Sequence, residues 1–502
     1  MPTQQDGGIL DGLENGGRDL GGFPTPLRKL GTMRWLKSIF WPKTGSGERG
    51  QLRPTAYLDG LRGFAAFLVY WHHHELWSHS SNKTLENIIL ESAWGFKDHF
   101  HFSTFHFFRL FFTGGHIAVA IFYVISGYVL VLKPLTLIQN GDIVKLADNL
   151  GSALFRRWLR LFIPLIVTTF LFITSWHLFG IWNAACPPEK TYRDEVWKWY
   201  TEFKNFSFVF KDGHPWISVN LHLWSIPLEM RGSITVWTVA LALARATTKA
   251  RLLCELGLII YFLYIVDGYY CALFMTGMLQ CDLDLLARRP ELGFPKFLRR
   301  LEPYKTFIFY HMLAIAVYFA GVPSHFSDVE KLRENPGWYW LSYLKPQAVF
   351  DPKWFFLFWA SNFIVAAIPR IAWMKRFFET RFCQYLGRIS FSLYLVHGPI
   401  LVTLGDRLYA AVGLVHSLPP DTDMVQPWLN AFPIPKVGPL GLELNFLLPH
   451  IILLPFTLWV ADLVTRFIDD PTVTLSSWLY KTVNGETPAP KPEESVNLMR
   501  LA

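Results

Sequence analysis

The stretch "LDGLRGFAAFLVYWHHHELW", residues 58–77, carries Arg62 and His73 eleven positions apart in an otherwise apolar run. At about 100° per residue that spacing returns to within ~20° of one helix face, three turns and roughly 16 Å along the axis. An imidazole titrates near neutrality and suits general-base work, typically worth ~10²–10⁴ in rate. Asp59 lies three positions before Arg62 and can pair with it. Plainer roles compete: Arg62 as a snorkelling residue at a helix end, His73 as a neutral ring bonded to a backbone carbonyl. A metal site from His72, His73, His74 and His79 is disfavoured, because consecutive helical residues point in different directions.

Other apolar segments carry polar groups of the same kind. "LHLWSIPLEMRGSITVW" sets Glu229 beside Trp224 and Ser225, with Pro227 expected to break the helix. A carboxylate is costly inside a span and reads as functional. "GGHIAVAIFYVISGYVL" holds His116, Ser126 and Gly127, where small residues commonly serve close helix packing. "FRRWLRLFIP" places Arg156, Arg157 and Arg160 at the mouth of a span, as orienting charge or as a phosphate-binding cluster. "LGRISFSLYLVHGPI" carries Ser390, Ser392, Tyr394 and His397 across another span.

The elements that must position these groups are membrane helices. The 502 residues are 51% hydrophobic and only 17% charged, with 43 Phe and 21 Trp. Long uncharged aromatic runs in such a chain indicate bilayer spans. About ten are expected, near 58–77, 116–132, 161–181, 223–244, 252–266, 270–281, 306–322, 354–369, 389–405 and 445–465. The fold class is therefore an all-α polytopic membrane protein. The net charge of +8 fits basic loops that orient such a protein and not nucleic acid binding. Five cysteines (Cys186, Cys254, Cys271, Cys281, Cys383) lack any CxxC spacing, so neither a disulfide framework nor a zinc site is argued from them.

Lys and Arg concentrate in the N-terminal tail and in the loops 133–160, 245–251, 282–305 and 370–388. Ten spans put all of these on one side, the cytoplasm by the positive-inside rule, with both termini there. The two N-x-S/T triplets, at Asn82 and Asn205, fall in opposite loops and are expected glycosylation sites. The first 50 residues have no apolar core, so no cleaved signal is expected, and endoplasmic reticulum residence fits. The expected organisation is a cytoplasmic tail at 1–54, a transmembrane domain at 55–480 and a second tail at 481–502.

These blocks, in this order, resemble the membrane-bound acyltransferase 3 family. "YLDGLRGFAAFLVYWHH" is similar to its opening R-x10-H block, here Arg62 and His73, and "AVAIFYVISGYVL" to its V-[IL]-S-G-[FY] block. "RRWLRLFIP", "LWSIPLE" and "LGRISFSLYLVHGPI" resemble its R-R-x-x-R-[LI], L-W-S-[LI]-x-x-E and L-G-x-I-S blocks, and "RFIDDP" stands where its last span ends R-x-x-E-x-P. The resemblance covers roughly 55–480 and is nearest to fungal members. Ala120 replaces an aspartate common in bacterial members, and Asp469 replaces the final glutamate.

The resemblance implies a ten-helix enzyme that moves an acyl group, commonly acetyl from acetyl-CoA, onto a hydroxyl. No permanently bound cofactor is expected, and no nucleic acid partner. On this expectation Arg156, Arg157 and Arg160 hold the nucleotide end, and the pantetheine arm passes Arg62 to bring the thioester to His73. His73 is then the base, Ser126 a candidate oxyanion donor, and Glu229 a candidate to orient an imidazole or the acceptor. The acceptor expected is a small hydrophobic alcohol, with a sugar or lipid as the alternative. A transporter would need paired charges near the midplane and repeat symmetry, neither legible in the sequence. An acyltransferase with a late-helix histidine would use His311, His397 or His450, and a scaffold would need neither Arg62 nor His73.

Overall fold

The opening stretch folds as one helix, α1 (Ala56–Ser78), with Asp59 in its first turn, where a carboxylate favours the positive helix end. The computed structural model describes residues 52–79, 85–181, 186, 188–211, 215–414 and 426–484. Nine further helices follow at the expected segments. They are α2 (His116–Asn140), α3 (Ile143–Phe179), α4 (Ser225–Ala242), α5 (Thr248–Ile260) and α6 (Tyr269–Arg288). After these come α7 (Lys305–Ala320), α8 (Pro352–Ala367), α9 (Arg381–Ile400) and α10 (His450–Val464). An eleventh, α11 (Asp470–Val483), continues α10 through a five-residue π-helical turn, Thr465–Asp469. Among the described residues there is no strand.

By length and apolar content alone, four helices qualify to cross a bilayer: α2, α3, and the continuous runs Arg381–Ala411 and Leu444–Val483. A fifth qualifies if Pro352–Arg370 and Ala372–Phe378, bent by 98° at Ile371, form one span. The chain is a membrane protein built from helices. The segment 133–160, expected as a loop, is mostly helical. α2 runs on to Asn140, where Gly141 at φ 77° caps it, and α3 starts two residues later. Thus α3 is 37 residues, about 55 Å along its path, with Pro164 inside it, and carries Arg156, Arg157 and Arg160 in its first half. Pro227 does not break its helix. It is the third residue of α4, in the first turn, where a missing N–H costs no intrahelical bond.

Two helix pairs set the frame of the bundle, α1 with α9 and α2 with α6. Both depend on glycine. A Cβ on Gly63 would sit 2.1 Å from the Gly387 backbone nitrogen, and one on Gly277 would sit 2.1 Å from the Val124 carbonyl oxygen. In a lipid medium, such backbone approach supplies the packing that holds helices together. The Gly63–Gly387 and His73–His397 contacts share one sequence offset, 324 positions, so α1 and α9 run parallel and in step.

Candidate active site

The shared offset carries chemistry. Ten residues beyond the glycine contact on each helix, about 15 Å along the axis, stand His73 and His397. Their rings lie 5.1 Å apart between centroids, with His73 Nδ1 2.9 Å from His397 Nε2. The proton positions follow from the surroundings. His397 Nδ1 lies 3.2 Å from the Leu393 carbonyl, which can only accept, so this nitrogen holds the proton. In a neutral ring Nε2 then accepts, and His73 Nδ1–H donates to it. The lone pair of His73 is thereby left on Nε2. A general base needs that arrangement.

His222 enters from the short 3-10 helix Leu221–Trp224 that leads into α4, its ring 4.0 Å from His73 and 5.0 Å from His397. Its tautomer is also set. Asn220 Nδ2 donates to the Leu395 carbonyl at 3.0 Å, which turns Asn220 Oδ1 towards His222 Nδ1 at 3.2 Å. The fit demands glycine at 398, since a Cβ there would lie 2.4 Å from His222 Nδ1 and 2.7 Å from Asn220 Oδ1. His397 is 1% exposed, whereas His73 and His222 keep partial exposure. Next to them, Tyr394 meets Ser225 Oγ at 2.6 Å and donates to the His222 carbonyl.

One turn along α4 from Ser225 lies Glu229. Its Oε1 accepts from Ser126 Oγ on α2 and from Arg157 Nη2 on α3, both at 2.5 Å. Arg157 Nε donates to Ser233 Oγ at 3.0 Å, and Ser233 donates to the Glu229 carbonyl at 2.6 Å. Here is the interior charge pair that the sequence did not reveal. Glu229 takes its hydrogen bonds from Ser126 and Arg157 and not from an imidazole, and the Ser126 proton is committed to Glu229. Arg62 follows, its Nη2 3.1 Å from the Gly387 carbonyl and 3.5 Å from Asp59 Oδ1. It lies within electrostatic reach of Glu229, Arg157 and Asp469, and Asp469 also feels Arg160. Arg156 turns away from this column to Ser152 and Ser477.

The remaining candidates separate. His72 packs against His116, with rings 5.1 Å apart. His74 meets Tyr409 at 2.8 Å and His450 edge-on, and His79 pairs with Glu443 at 2.9 Å. The four histidines of the opening stretch therefore share no single metal site. Ser390 and Ser392 are spent on the Gly387 carbonyl and on Thr465, and His311 is exposed with its ring bonded to the Phe307 carbonyl. Asn205 is exposed near the end of the helix Tyr192–Phe206, while Asn82 lies outside the described residues. His222 and Asn220 went unrecognised as candidates because they sit on and just before a four-residue 3-10 helix, too short to show a period; the only signal was "NLHLW" at the start of a span.

Among the described residues, two groups bring three ligand atoms within 4.8 Å of one another: His73, His222 and His397, and separately His72, Glu91 and His116. In the first, a proton already bridges two of the rings.

A family model described as an acyltransferase domain, acyltransferase 3, matches residues 55–466. The chain is 28% identical to the O-acetyltransferase PaAT-1 of Phomopsis amygdali, over 87% of this chain and 86% of that one. It is 23% identical to acyltransferase R4 of a Phoma species, over 71% and 84%, and 22% identical to acyltransferase clz18 of Cochliobolus lunatus, over 86% and 96%. No solved structure matches.

Proposed function

Because the chain belongs to the acyltransferase 3 family and is an O-acyltransferase, we propose that it moves acetyl from acetyl-CoA to a hydroxyl of a small hydrophobic molecule, a fungal secondary metabolite, with His73 as the base. The observation that carries this is the hydrogen-bond chain Leu393 carbonyl, His397, His73, which leaves His73 Nε2 unprotonated on a ring that keeps partial exposure. His73 removes the hydroxyl proton as the oxygen attacks the thioester carbonyl. When the C–S bond breaks, the imidazolium returns that proton to the departing thiolate.

The donor lies along the polar column. Arg62, Ser126, Arg157, Arg160, Glu229 and Asp469 all keep partial exposure inside the helix bundle, which supports a narrow passage from the basic rim to His73. Arg157 and Arg160 of α3 receive the nucleotide end, while Arg156 faces Ser152 and Ser477. Arg157 acts there through the charge it shares with Glu229, and Ser126 acts by holding that carboxylate. In this reading ten helices cross the endoplasmic reticulum membrane, both termini are cytosolic, and Asn82 and Asn205 are lumenal acceptors of glycan. Helices at all ten expected segments and the exposed Asn205 support it.

The test incubates membranes holding the chain with labelled acetyl-CoA and an extract from a strain lacking it. Wild-type membranes are expected to label one lipophilic species, which the deletion strain accumulates lighter by one acetyl group. Near-normal labelling by His73→Ala removes the base assignment; no labelled species at all removes the proposed substrate class.

A further inference from the structure

One cluster remains outside the acyl-transfer site. His72 on α1, His116 at the first position of α2 and Glu91 from the loop between them bring one ligand atom each within 4.8 Å of one another. From these residues we infer that the chain binds one zinc-type divalent cation at His72, Glu91 and His116, as a clamp beside the acyl-transfer site.

Three observations support it. First, Nδ1 of His72 and Nδ1 of His116 are buried without a hydrogen-bond partner. A buried ring nitrogen left unpaired has lost its bond to water with nothing in exchange, and coordination removes that cost. Second, the carboxylate is held from behind as metal-bound carboxylates are. Glu91 Oε2 is 3.1 Å from His325 Nδ1, Oε1 accepts from Ser324 Oγ at 3.2 Å, and the Glu91 carbonyl accepts from the Ser324 backbone at 2.9 Å. Third, the backbone leaves room for the approach: a Cβ on Gly115 would lie 2.4 Å from His72 Cβ.

Two nitrogens and one carboxylate oxygen form a donor set suited to zinc, with water completing a tetrahedron. Of the nearby cations, Lys353 is paired, and Arg109 is held by Nη1 while its Nε and Nη2 are buried without a hydrogen-bond partner. Arg109 donates to the Ser92 carbonyl and Lys353 pairs with Asp351, each at 2.5 Å. Bound metal would tie the first outer loop and the loop at Ser324–His325 to α1 and α2. Since His72 precedes His73, with rings 5.2 Å apart, the clamp would steady the base without touching substrate.

The experiment measures metal in the full chain, purified in detergent and passed through metal-free buffer. About one zinc per chain is expected, lost in Glu91→Gln and His116→Asn and kept in His222→Ala and His397→Ala. Metal kept in the first pair but lost in the second overturns the assignment, as does zinc absent even after addition and desalting. Should the first pair fail to fold, wild-type chain loaded with cobalt(II) decides: tetrahedral visible bands support the site, and their absence overturns it. Acetyl transfer is not the readout, so a metal-free chain that still transfers acetyl sinks the clamp alone.

Discussion

The two ends of the polar column solve different problems. At the His73 end, three imidazoles gather with no counter-charge among their hydrogen-bond partners; carbonyl and amide oxygens fix which nitrogen holds each proton. At the Arg62 end, whole charges meet: Glu229 with Arg157, Asp59 with Arg62, and Asp469 near Arg160. The first arrangement keeps rings neutral and one lone pair available. The second neutralises side chains that a bilayer interior would otherwise reject. Proton placement belongs to one end and charge balance to the other.

The sharpest way to break this contrast is His73→Ala, expected to lower acyl transfer by about 10²–10⁴-fold with thermal stability little changed. Glu229→Ala should show the opposite pattern. It strands the Arg157 guanidinium and is expected to cost about 3–5 kcal/mol in stability, read as a lower melting temperature in detergent. Adding Arg157→Ala should recover most of the loss, and failure to do so would mean that the pair is not what holds α3 to α4. His397→Ala is expected to lower turnover by roughly ten- to a hundredfold, less than loss of the base itself, and to change the pH profile. His397→Gln, whose side-chain oxygen can still accept from His73 Nδ1–H, should restore part of it. Equal loss in both variants would assign His397 to packing alone.

The smallest effect on turnover is expected beyond the column, at the buried His79–Glu443 pair outside the spans. Burial alone would lower the His79 value, but Glu75 and the bonded Glu443 push it up to about 9. Burial would raise the Glu443 carboxyl, yet the His79 contact pulls it down to about 2. A raised histidine contributes stability that is complete below its unfolded value of 6.5 and lost as pH rises through about 9. The depressed carboxylate contributes stability that is complete above 4.5 and lost as pH falls towards about 2. Melting temperature should therefore fall between pH 6.5 and 9, and Glu443→Gln should flatten that fall.

Periodicity made much of this legible. Arg62 and His73 do share a face, and both meet α9, at Gly387 and His397. The ten apolar segments are all helical, because apolar runs of that length have few other ways to satisfy their backbone in lipid. Tertiary pairing was not legible. His397 was visible as a polar residue on a late helix, but its partner is fixed by the register of two helices more than 300 residues apart. His222 lies on a four-residue 3-10 helix, too short for a period to mark a direction. Glu229 was visible as costly, yet only the packing of α3 against α4 showed that Arg157 answers it. The length of α3 was missed because a basic amphipathic helix and a basic loop share a composition.

The α1–α9 crossing leaves the imidazole pair almost no mechanical slack. With bare backbone touching at Gly63 and Gly387, a side chain added at either place levers the rods apart, and the rings about 15 Å above must separate with them. A variant could therefore keep every histidine and still be silenced from a distance, by a single methyl group at a position that never meets substrate.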